Sequence, residues 1–89
     1  MPEFALYQNE PNPFSGETVI GFVLPEAMSA TLRVFDVHGR MVYWFDGDYA
    51  QGYNEMVVKA QDLKVSGAYY YRLDAGDFTA NKKFILAGK

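Results

Sequence analysis

Apolar and polar residues alternate in steps of two through most of this chain, and across residues 31–45 the alternation turns back on itself. Leu32 and Val34 alternate with Thr31 and Arg33, the pattern of a half-buried strand. The run breaks at Asp36-Val37-His38-Gly39-Arg40 and then resumes as an apolar stretch from Met41 to Phe45. Gly39 can take the positive φ that a short hairpin loop needs, and Asp36 can accept hydrogen bonds from the loop's free N–H groups. The stretch predicts one β-hairpin. Strands on either side of it must then cover its arms.

Those strands are legible. Phe4-Ala5-Leu6 reads as a short first strand, followed by a stiff crossing, residues 7–14, in which Pro11 and Pro13 each remove a donor and force their predecessors to be extended. Tyr7 and Phe14 are its expected anchors, and Ser15-Gly16-Glu17 a turn. Residues 18–24 alternate, with Ile20, Phe22 and Leu24 on one face, and Pro25-Glu26-Ala27-Met28 connects to the hairpin. After it, Asp46-Gly47-Asp48 and Gln51-Gly52 bracket an expected loop. Residues 53–60 then resume alternation, with Met56 and Val58 inward. Residues 61–66 read as a loop pinned by Leu63. Gly67 opens a strand with Tyr69, Tyr71 and Leu73 on one face, and Asp74-Ala75-Gly76-Asp77 is a turn into the last strand, where Phe84 and Leu86 point inward and Lys83 and Ile85 away. Nothing reads as a helix. The expected fold is all-β, a seven-stranded antiparallel Ig-like β-sandwich. Its expected core holds Ile20, Phe22, Leu24, Leu32, Val34, Val42, Met56, Val58, Leu63, Tyr69, Tyr71 and Leu73.

Eighty-nine residues suffice for one domain with a thin margin of stability. No stretch reads as a membrane span or a signal peptide. Met1-Pro2-Glu3 reads as a cut boundary, so residues 1–3 are expected to be a linker remnant and residues 4–89 a domain from a larger protein. A net charge of −3 with dispersed Lys and Arg argues against a nucleic-acid partner, and without cysteine there is no disulfide.

Residues that could carry chemistry are few. His38 is the only histidine, with Asp36 its one local acid, and it reads as a solvated hairpin residue. Asp46-Gly47-Asp48 is spaced like the start of a calcium loop but lacks the remaining ligands, and Asp74 and Asp77 read as turn residues. No catalytic residue, metal ligand or cofactor is expected. With seven Tyr, seven Phe and one Trp in so short a chain, several aromatics must stay partly exposed. Tyr43, Trp44, Tyr49, Tyr53 and Tyr70 are candidates for a flat platform for sugar rings or a protein partner. The residues alone lead to a non-catalytic sandwich that binds or anchors.

Taken in order, the motifs resemble a known family. Leu6, Gln8-Asn9-Glu10-Pro11-Asn12-Pro13-Phe14 is followed by Thr18, Ile20, Phe22, Leu24 and Pro25 at alternating positions. The hairpin set Leu32, Val34, Phe35, Asp36, Gly39, Arg40 and Val42 comes next. After Gly52 come Ser66-Gly67 with Tyr69, Tyr71 and Leu73, then Gly76 and the ending Lys82-Lys83-Phe84-Ile85-Leu86. The series resembles the type A C-terminal sorting domain of the Bacteroidetes type IX secretion system. Glu10 stands where an aromatic is common and Asn54 where His often sits.

The resemblance implies a non-catalytic secretion signal that directs an N-terminal cargo protein through an outer-membrane translocon. A cell-surface sortase then removes it, and the cargo is released or joined to anionic lipopolysaccharide. Localisation would be periplasmic in transit, then at the cell surface or secreted, with the domain a monomer. Lys82, Lys83, Phe84, Ile85 and Leu86 are the expected translocon contacts. Pro11, Asn12, Pro13, Phe14, Asp36, Gly39, Arg40, Gly67 and Tyr69 carry the family pattern. The rivals are an Ig-like assembly domain related to the flagellar hook-capping protein and an accessory carbohydrate-binding module.

Overall fold

The computed structural model describes residues 2–88. Met1, part of the expected linker remnant, and Lys89, the last residue of the expected domain, lie outside the described residues. The alternating runs become β1 (Ala5–Leu6), β2 (Glu17–Leu24), β3 (Met28–Phe35), β4 (Met41–Tyr49), β5 (Gly52–Lys59), β6 (Gly67–Ala75) and β7 (Phe78–Leu86). They form a three-stranded sheet, β1-β2-β5, and a four-stranded sheet, β4-β3-β6-β7. Every named strand pair is antiparallel. The one helix among the described residues, α1 (Ala60–Leu63), is a single turn where an irregular loop was expected, and it buries Leu63 as the loop's pin.

The two sheets bury their facing sides against each other. Ile20, Phe22 and Leu24 from one sheet and Val34, Tyr71 and Leu73 from the other are all fully buried. Phe84 and Leu86 close the same core from β7. Outside it, the Tyr53 ring lies over Gly21, where an added Cβ would come within 2.5 Å of the Tyr53 hydroxyl. The ring thus covers a stretch of strand that has no side chain of its own.

The hairpin between β3 and β4 forms as expected. Gly39 has φ 81°, and its N–H donates to the Asp36 carbonyl at 3.0 Å. The Asp36 carboxylate accepts from the His38 and Arg40 N–H groups at 2.9 and 3.0 Å and from the Arg40 guanidinium at 2.9 Å. Burial pushes the Asp36 carboxyl up, but the two backbone donors and the Arg40 charge outweigh it and hold it below 3.8.

Two expectations fail in β4. Val42 was expected in the core but is 38% exposed. A bulge causes this: Val34 pairs with Tyr43 and Phe35 with Met41, so Val42 is the extra residue. One extra residue reverses the phase of everything after it, so Tyr43 and Phe45 take the inner positions. Asp46-Gly47-Asp48, expected in a loop, continues β4 opposite Ser29, Ala30 and Thr31. Ladder bonds to β3 hold these residues in extended geometry.

Candidate recognition site on the terminal strand

Strand β7 pairs with β6 along its whole length, from Ala75↔Phe78 to Gly67↔Leu86, and forms one edge of the four-stranded sheet. Its inward side chain Phe84 sits at the centre of an aromatic cluster. The Phe14 ring meets it edge-on at 5.2 Å, and Tyr69 and Tyr71 lie at 5.5 and 5.6 Å. Ile85 and Lys83 are exposed on the outer face, as alternation required. Lys82 and Lys83 are neighbours in sequence, but their side chains take opposite faces of the sheet. Lys82 is half-buried opposite Tyr71 on the inner side, while Lys83 stands opposite Tyr70 on the outer side. The pair presents two separate charges, one on each face.

The outer edge of β7 is not bare. Residues 8–14 run along its C-terminal half and satisfy its backbone. The Gln8 side-chain amide donates to the Lys83 carbonyl at 2.7 Å, and the Ile85 N–H donates to Asn12 Oδ1 at 2.9 Å. The Phe14 N–H donates to the Ile85 carbonyl at 3.1 Å, and the Ala87 N–H returns a 2.7 Å bond to the Phe14 carbonyl. A sheet edge left open pairs with whatever strand it meets, so this segment acts as a clasp that blocks accidental pairing. Phe14 anchors it, at 2% exposure.

Behind the clasp lies a buried polar network. Asn9 is 1% exposed, and its Nδ2 donates to Thr18 Oγ1 at 3.0 Å and to the Pro11 carbonyl at 3.1 Å. Thr18 Oγ1 donates to that same carbonyl at 2.8 Å. The Tyr71 hydroxyl accepts from the Asn9 N–H at 3.1 Å and donates to the Tyr7 carbonyl at 2.9 Å. Burial pushes the Tyr71 phenol up to about 12, against the opposing hydrogen bond from Asn9. No buried side-chain nitrogen or oxygen among the described residues lacks a partner. The bonds Glu10–Pro11 and Asn12–Pro13 are cis.

The residues of the family pattern thus serve the fold in separable ways. Pro11, Asn12, Pro13 and Phe14 build the clasp, and Asp36, Gly39 and Arg40 close the hairpin at another corner. Gly67 opens β6 with φ 143°, and Tyr69 donates its hydroxyl to the Val65 carbonyl. Gln8, Asn9, Thr18 and the Tyr71 hydroxyl carry the network; the sequence placed them in the family series, and Tyr71 in the core, but gave them no hydrogen-bonding role. The signal available was a pair of amides directly before a proline-rich crossing, where backbone groups need outside partners.

The five aromatics proposed as a platform do not share a surface. Tyr43 and Tyr49 line a cleft between the sheets. Trp44 pairs with Arg33 and Tyr70 with Phe35 and Lys83 on the outer face of the four-stranded sheet, and Tyr53 covers Gly21 on the other sheet.

Fold and site together define a small antiparallel β-sandwich whose C-terminal strand is held between a core aromatic cluster and an N-terminal clasp. The family model described as the secretion system C-terminal sorting domain matches residues 10–87, from just inside the clasp to just beyond β7. The chain belongs to this family, the C-terminal sorting domains of type IX secretion. Such a domain implies an attached cargo protein and export toward the cell surface or medium, and is generally non-catalytic. No curated protein matches the chain.

Proposed function

We propose that this domain, acting as a monomer, carries an N-terminal cargo across the periplasm and through a type IX outer-membrane translocon. The translocon reads β7 through Lys82, Lys83, Phe84, Ile85 and Leu86. A cell-surface sortase then removes the domain, leaving the cargo released or joined to anionic lipopolysaccharide. The family match across residues 10–87 carries this reading. The geometry adds a division of labour: Phe84 and Leu86 hold the strand in the core, so recognition rests on the exposed Lys83 and Ile85 and the half-buried Lys82. With Phe14 buried and its backbone paired to β7, an extended stretch for the sortase is available only upstream of Phe4, and the released domain begins there.

Two observations support an Ig-like form of the sandwich. Strand orders β1-β2-β5 and β4-β3-β6-β7 correspond to A-B-E and C′-C-F-G, and the Tyr69 hydroxyl bonds the backbone four residues upstream near the start of β6, as in a tyrosine corner.

The test is Lys82→Glu/Lys83→Glu in a fusion of signal peptide, reporter and domain, expressed in a type IX-competent host. Lys83 is exposed, and a surface change there shifts stability by under about 0.5 kcal/mol; Lys82 is half-buried, so Lys83→Glu alone is the companion variant whose melting temperature stays close to wild type. The reporter is expected to accumulate in the periplasm. Normal secretion of a folded double-Glu variant refutes recognition through these lysines.

A further inference from the structure

The two edges of the four-stranded sheet are treated differently. The β7 edge is clasped and carries Lys82 and Lys83, whereas β4, at the opposite edge, is nine residues long and begins Met41-Val42-Tyr43-Trp44-Phe45 with no charge and no proline. Met41, Val42, Trp44 and Phe45 are between 38% and 58% exposed. Among the described residues, β3 is the only strand paired with β4. The edge is bulged at Val42 and its only charges are Asp46 and Asp48, so its unpaired backbone groups are a template for a further strand of complementary charge.

Behind this edge the sandwich stays open. A cleft of about 270 Å³ lies between β4 and β5, lined by Leu32, Tyr43, Phe45, Tyr49, Met56 and Val57. Alternate side chains of an added strand would point into it. The rim is acidic on its outer side: Asp46 and Asp48 of β4 stand exposed on the outer face of the sheet, opposite Thr31 and Ser29, Asp62 on α1 is also exposed, and the cleft itself is lined by Glu55 and by no Lys or Arg. The field of these carboxylates reaches inside. Tyr43 is pushed up by burial and then by Asp62, and Tyr49 by burial, by Tyr43 and by Asp46.

We propose that β4 is a docking edge for an extended segment of a partner protein in which apolar and basic residues alternate. The segment adds as a fifth strand, placing its apolar side chains in the cleft and its Lys or Arg on the outer face of the sheet, against Asp46 and Asp48. A second copy of this chain is a poor occupant, because its own β4 brings two Asp and no Lys or Arg to an acidic rim. The proposal is independent of recognition at β7, since the two strands lie at opposite edges of one sheet.

Two synthetic peptides of about the length of β4, one alternating Lys and Val and one alternating Glu and Val, distinguish the possibilities. Binding is followed by amide hydrogen exchange and NMR shifts. The Lys–Val peptide is expected to bind and to slow exchange in β4. Asp46→Lys/Asp48→Lys is expected to weaken it about tenfold, as is raising the salt from about 0.05 M to 0.5 M. Should that variant fail to fold, the single change Asp48→Lys tests the same face. Binding of neither peptide, equal binding of both, protection at β7 in place of β4, or self-association that protects the β4 amides without peptide each overturns the proposal.

Discussion

Replacing Asn9 with Ala tests whether the clasp stabilises the domain or merely lies on it. The Asn9 side chain makes two hydrogen bonds inside the buried network, to Thr18 Oγ1 and the Pro11 carbonyl, and accepts a third from Gln8 at 2.6 Å. A net intramolecular hydrogen bond contributes about 0.5–1.5 kcal/mol. The Gln8 bond lies at an exposed residue and adds little. The Pro11 carbonyl keeps its bond from Thr18, so the loss comes mainly from the two inner bonds and the space left by the amide. The expected cost is about 2–3 kcal/mol, a large share of the roughly 5–15 kcal/mol available to a domain. Urea denaturation of Asn9→Ala, Thr18→Val and the double variant measures it, with a coupling of about 1 kcal/mol expected between the two side chains. Because the clasp then loosens, the Ile85 amide, bonded to Asn12, is expected to exchange faster, whereas amides in the β3–β6 ladder keep their protection relative to global unfolding. An Asn9→Ala variant within about 0.5 kcal/mol of wild type, with Ile85 exchange unchanged, would falsify the structural role of the network.

Two further outcomes follow from the core and from the ionised side chains. Phe22 is fully buried and meets Tyr49 edge-on at 5.0 Å, so Phe22→Ala is expected to cost about 3–5 kcal/mol in chemical denaturation, and wild-type stability would refute its place in the core. Asp36 and Asp74 are both held below 3.8, Asp74 by bonds from Thr79 and Arg72 and by the Arg33 charge, which together outweigh burial. Their stabilisation is present above pH 3.8 and lost as pH falls through the lower folded values; in acid titrations of the melting temperature, Asp36→Asn/Asp74→Asn is expected to flatten that decline, and an unchanged acid limb counts against it.

Alternation located β2, β3, β5, β6 and β7 and the inward set of each, because a strand packed on one face must place every second side chain inside. The hairpin at Gly39 was equally legible, since an Asp three residues before a positive-φ glycine closes the turn with its own side chain. These are local properties, written in neighbouring residues.

Tertiary structure decided the rest. Val42 left the core because a single bulge, set by how β4 meets β3, reverses the phase of the strand, and nothing in Met41–Phe45 announces its position. Spacing likewise did not show that the amides before Pro11 cross to the edge of β7. The Gln8 bond to Lys83 joins residues 75 apart in the chain, and that distance closes only once both sheets exist. The same pairing leaves β4 open at the opposite edge. Which face a residue takes follows from the chain's own period, but which edge is covered depends on the partner strand that folding brings to it.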